Sequence, residues 1–182
     1  MRVLMILLAF VAGLEQAADL RTTTSAWVAA HRQTVIDELL ELLAIPNVAA
    51  DTPNIRRNAE HLRALLARRG FAAEVLETTG NPLVFGNLPV PGVTRTVLFY
   101  CHYDGQPVDP SKWRQPDPFK PVIRGDGADA RIFARSASDD KAPIVALLAG
   151  LDALRSANLT PTSNVKIILD GEEEAGSVSL VP

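Results

Sequence analysis

The sequence predicts an α/β fold in which helices pack on a sheet, and three observations predict it. Helix-period and strand-like segments alternate along the chain, in the order helix, strand, long loop, helix, strand. The run Thr96–Cys101 is β-branched, aromatic and unbroken by charge, as a strand buried on both faces is. Length and composition suit one domain, with 182 residues of which 47% are hydrophobic and 21% charged.

The elements follow in order. Arg2 precedes an apolar stretch from Val3 to Leu14, and Ala17 and Ala18 follow it. This reads as a signal peptide over residues 1–18, too short for the ~20 residues of a spanning helix. It predicts export to a periplasmic or extracellular compartment, with the cytoplasm as the alternative; residues 19–182 then form the mature domain. In "TTTSAWVAAHRQTVIDELLELLAIP", Val35, Ile36, Leu39, Leu40 and Leu43 share a helix face, and Pro46 stops it. "DTPNIRRNAEHLRALLARRG" predicts a second helix, capped by Thr52, opened by Pro53 and ended by Gly70. Its apolar face is Ile55, Ala59, Leu62, Leu65 and Leu66. Short strands fit Ala72–Leu76 and Leu83–Phe85, before the stronger run from Thr96. Asp104 to Arg131 is proline-rich and reads as a long loop, followed by a short strand over Arg131–Ala134. "DDKAPIVALLAGLDALRSANL" is a helix with Ile144, Leu147, Leu148, Leu151 and Leu154 on one face. Val165–Leu169 is a further strand, expected to present an exposed apolar edge and to make the chain poorly soluble.

Bulk charge narrows the function. The net charge is -3 and no basic patch stands out, which argues against nucleic acid as a partner. The single cysteine, Cys101, allows no internal disulfide. Three polar clusters remain: His102-Tyr103-Asp104 at the end of one strand, Asp139-Asp140 at the head of a helix, and Glu173-Glu174 beyond another strand. Sites in open α/β sheets form at the carboxyl ends of strands, so parallel neighbours would bring these clusters together. One imidazole and several carboxylates suit zinc, and also manganese or cobalt. Singly, each cluster also has an ordinary reading: a hydrogen-bonded histidine, a helix cap, a solvated acidic loop. A phosphoesterase is disfavoured, because no phosphate-cradling glycine loop or arginine cluster accompanies these residues.

"CHYDGQPVDPSKW", "PDPFKPVIR", "ARSASDDKAP" and "DGEEEAGS" resemble, in order, the motifs of a dinuclear zinc peptidase family, metallopeptidase family twenty. Its members include carnosinase-type dipeptidases, aminoacylases and succinyl-diaminopimelate desuccinylase; the wording "HYDGQPVDP" and "SASDDKAP" fits the dipeptidase branch. The resemblance implies a three-layer helix–sheet–helix catalytic domain with a mostly parallel sheet, of the zinc exopeptidase type. It implies two divalent metal ions, His102 ligating one, Asp139 bridging both and Glu174 ligating the other. Glu173 would be the general base and Asp104 the partner orienting His102, with a cis peptide at Asp139-Asp140. Glu172 receives no role and reads as solvated. The implied reaction is hydrolysis of a small peptide or N-acyl amino acid by metal-activated water.

The pattern also departs from the family. There, a lid and dimerisation domain, a last carboxylate ligand and a final histidine ligand lie downstream of "EEAGS", beyond Pro182. His31 and His61 read as exposed helix residues unable to replace that histidine. Ser136 and Ala142 stand where glycine is usual, and "GDGADA" looks like an expanded turn. The expectation is an N-terminal portion that is inactive or weakly active alone, its complete relatives dimerising through the lid. The alternative is a non-catalytic metal-binding remnant or binding protein of that fold.

Overall fold

The computed structural model describes residues 19–180. The signal-peptide reading, residues 1–18, lies outside them. Among the described residues no helix is long and apolar enough to cross a membrane.

Residues 19–30 are helical and lead into α1, Arg32–Leu43. Helix α2 spans Thr52–Arg68 and buries the predicted face, Ile55, Ala59, Leu62, Leu65 and Leu66, together with Asn58. Its cap is Asp51, not Thr52: the Asp51 carboxylate accepts the Asn54 N–H at 3.3 Å, and the Ile55 N–H reaches the Asp51 carbonyl at 2.9 Å. Thr52 is thus already inside the first turn. Strands β1 (Ala72–Leu76), β2 (Leu83–Leu88), β3 (Thr96–His102) and β6 (Asn164–Asp170) form one sheet, in the order β1-β2-β6-β3. The predicted long loop holds its own hairpin, β4 (Val122–Arg124) antiparallel to β5 (Arg131–Phe133). The "GDGADA" stretch is the turn of that hairpin, with Gly125 at φ +80 and Gly127 at φ +56, a conformation glycine adopts at no steric cost. Helix α3 spans Lys141–Ser156.

The α/β class holds, and the sheet over these strands is mixed rather than mostly parallel. β1 pairs antiparallel with β2, and β2 with β6; only β3 and β6 run parallel. The short β1–β2 connection leaves no room for the crossover a parallel pair needs. The three helices share one face of the sheet. Leu42, Leu62, Leu66, Ile144 and Leu148 meet Val84, Val165, Ile167, Leu169 and Cys101 in a single core. Each such aliphatic side chain withdrawn from water contributes about 1.5–3 kcal/mol. The alternate residues point the other way, and there Leu98 is 56% exposed and Tyr100 50%. Among the described residues, then, the predicted third layer is not formed.

The expectation for β3 is corrected in the same way. It is an edge strand, and Val97 and Phe99 are exposed as well, although they lie on the helix side. The strand predicted to be an exposed edge, β6, is instead central, flanked by β2 and β3. Composition reports what a strand can bury, not where in the sheet it sits. On α3, the buried stripe is Ile144, Val145, Leu148, Ala149 and Ala153, with Leu147 and Leu151 partly buried beside it.

Candidate active site

The parallel pairing of β3 with β6 sets His102 opposite Asp170, so both strands deliver their last residues to the same end of the sheet. Asp139 reaches this end from the head of α3. The Nε2 of His102 lies 2.9 Å from the Asp139 carboxylate and 3.8 Å from that of Glu173. Its Nδ1 lies 3.3 Å from the Asp104 carboxylate. Burial disfavours charge on this ring, but the hydrogen bonds to Asp104 and Asp139 outweigh it and raise the pKa to about 9. A neutral imidazole donates from one nitrogen only. With Nδ1–H donating to Asp104, the Nε2 of a neutral ring meets the Asp139 carboxylate acceptor to acceptor, and either a proton or a cation between them relieves that repulsion. The donor set fits a metal there.

Asp104 has a wider role than the sequence suggests. It is fully buried, and besides His102 it accepts the backbone N–H of Glu173 at 3.1 Å and of Glu174 at 3.0 Å. One carboxylate therefore ties the histidine to the acidic turn. The Glu174 side chain is engaged elsewhere, accepting from Gln106 Nε2 at 2.6 Å. Among the described residues no group of three or more His, Cys, Asp or Glu side chains is gathered around one point as a metal shell. His102 and Asp139 meet, Glu173 stands nearby, and Glu174 is turned to Gln106.

Glu172 is not solvated. It is buried and accepts the N–H of Asn81 at 3.0 Å and of Ser179 at 2.7 Å. Burial raises its pKa, and the Asn81 and Ser179 donors more than reverse that, leaving it below the usual carboxylate range. It clamps the β1–β2 loop to the turn. Gly171 makes the turn possible, since a Cβ there would press into the Tyr103 phenol and lie 2.9 Å from the Pro82 carbonyl.

Several residues that shape this end have no obvious sequence signal. Asp170 is fully buried and accepts from Glu172 N–H at 3.0 Å, Tyr100 Oη at 3.0 Å and Ser177 Oγ at 2.6 Å. Lys141 is also fully buried. Its amine donates to the Leu42 and Ile45 carbonyls at 2.8 and 2.9 Å, while burial pushes its pKa down to about 7. Asn47 donates to the Tyr103 carbonyl and to Ser136 Oγ. Ser136 sits at φ 60, the left-handed region that explains glycine as the usual residue there. The Asp139-Asp140 peptide is cis. His31 is exposed and stacks on Trp27. His61 departs from expectation, being half-buried with its Nε2 enclosed and lacking a hydrogen-bond partner among the described residues.

Residues 98–182 match the peptidase family M20/M25/M40. The chain is 30% identical over 166 residues to a human Beta-Ala-His dipeptidase, covering 82% of this chain and 32% of that protein. It is 32% identical over 149 residues to a succinyl-diaminopimelate desuccinylase of Acidovorax ebreus (strain TPSY), covering 76% of this chain and 36% of that one. Its backbone superposes on an M20 family metallo-carboxypeptidase from Sulfolobus solfataricus with a TM-score of 0.73 and 37% identity, covering 80% of this chain and 32% of the other. The chain spans about a third of the length of the curated relatives it matches.

Proposed function

We propose, proceeding from the peptidase family M20/M25/M40 domain that this chain carries, that its site serves metal-dependent hydrolysis of a peptide or amide bond in a small, dipeptide-like substrate. The observation that supports this reading most is the His102 ring, held at Nδ1 by buried Asp104 while Nε2 faces Asp139 and Glu173. His102 and Asp139 would hold one divalent ion and Asp139 and Glu174 a second, zinc above manganese or cobalt. When bound, such ions polarise a carbonyl and acidify water. Glu173 acts as general base: its carboxylate takes a proton from the attacking water and returns it to the leaving amine. Asp104 keeps the Nδ1 proton in place, so that Nε2 stays available as a ligand.

Calorimetric titration of the chain with zinc tests this. Binding is expected in the wild type, with affinity reduced at least about tenfold in His102→Ala and in Asp139→Asn. Equal affinity in all three proteins would refute the assignment. A second reading, metal binding without turnover, draws on Glu174 being committed to Gln106. Zinc affinity equal in wild type and Glu173→Gln, with no dipeptide hydrolysis by either, selects it; hydrolysis, however weak, that is lost in Glu173→Gln selects the first.

A further inference from the structure

Asp140 occupies the N-cap position of α3, where aspartate ordinarily accepts a hydrogen bond from the first turn of its own helix. Its side chain makes no such bond. Instead its carboxylate accepts the backbone N–H of His102 at 3.2 Å. The direction of that N–H matters. The next amide, Tyr103 N–H, points into the sheet and reaches the Asp170 carbonyl at 2.8 Å. Successive amides of a strand point to opposite sides, so the His102 N–H faces the outer edge of β3, where no neighbouring strand lies among the described residues. Asp140 supplies the acceptor the sheet lacks.

The neighbours of Asp140 are constrained as well. The Lys141 N–H reaches the Ser136 carbonyl at 3.3 Å, and the Lys141 amine is held by two carbonyls at the end of α1. The segment carrying Asp139 is therefore fastened to α1 on one side through Lys141. Asp140 fastens it to β3 on the other.

We propose that Asp140 is a positioning residue: by accepting the His102 amide it joins the head of α3 to the end of β3 and holds the Asp139 carboxylate against the His102 ring. The consequence for metal affinity rests on the reading of that pair as ligands; the consequence for the backbone does not.

Three variants of the full chain separate this role from helix capping. D140N keeps an acceptor oxygen at the same reach. D140S keeps a good helix cap, but its hydroxyl sits one bond closer to the backbone and away from β3. D140A removes the acceptor for His102 and can form no cap. Amide hydrogen exchange by NMR, without metal, is expected to rise about tenfold at His102 in D140A and D140S, the scale of one lost hydrogen bond, while the Ile167 and Leu169 amides of central β6 keep their rates. D140N is expected to stay within about threefold of wild type. Zinc affinity is expected to fall about tenfold in D140A and D140S and to be retained in D140N. The proposal is overturned by an unchanged His102 rate in D140S, by a rise shared equally across β6, which would mean Asp140 merely supports the fold, or by unchanged zinc affinity in D140S. A wild-type chain without zinc affinity would sink the metal-site reading alone, and the exchange comparison would still decide the role of Asp140.

Discussion

Glu172, Glu173 and Glu174 share a charge and occupy three environments: backbone donors surround the first, His102 lies near the second, and Gln106 binds the third. The sequence makes the run conspicuous and its motifs assign the last two glutamates, but nothing local reveals that Glu172 is buried. Its donors, Asn81 and Ser179, come from a distant loop and a later turn. His61 teaches the same lesson. It sits beside the apolar face of α2, and helix periodicity alone leaves it outside; packing against its neighbours encloses Nε2. Burial lowers its pKa below the ordinary 6.5, against the raising influence of Glu41 and Glu38 and with the help of Arg68 and Lys141. The folded chain therefore binds this proton less readily than the unfolded one. The stability of the neutral ring is fully present above pH 6.5 and is lost as pH falls through the lower folded value. As pH falls below 6.5 toward 5, the wild type should lose more stability in urea unfolding than His61→Gln does; an equal loss in both proteins would refute the assignment.

The helices were legible as elements because their apolar spacing and their proline and glycine boundaries are local properties. The face of α2 matches residue for residue, whereas its cap lies one residue earlier than predicted. Asp51 and Thr52 are both good caps by type, and only the first intrahelical bond, Ile55 N–H to Asp51, chooses between them. Asp51→Ala should accordingly cost about 1 kcal/mol of stability, and Thr52→Ala markedly less; denaturant midpoints of the two variants check the order. Among the strands, β1, β3 and β6 were legible, and the first half of β2, but their places in the sheet were not. Pairing order depends on partners far away in sequence; of the two three-residue strands, β5 was read to within one residue, while β4 is too short to carry a period. At the site, the meeting of His102 with the turn after Asp170 follows from the parallel pairing of β3 with β6, and Asp139 joins it from the head of α3, whereas the engagement of Glu174 by Gln106 had no sequence signal.

At the scale of the fold, among the described residues the helices cover one face of the sheet and leave the other, with Leu98 and Tyr100, exposed. The exposed edge of β3 borders the same face. A flat apolar edge strand free of internal charge is a template for association. Self-association of the described fold should therefore run through β3, not β6. Leu98→Lys places a charge on that face and should shift the chain toward monomer in concentration-dependent size exclusion; a monomeric wild type at high concentration would contradict this. The parallel union of β3 with β6 has one more effect. Tyr100 and Asp170 touch across a separation of 70 residues. Closing a loop of that length costs chain entropy, which the paired strands must repay. A ligand that binds this end only in the folded chain therefore tightens a junction between two distant strands, and through it raises the stability of the whole domain by mass action.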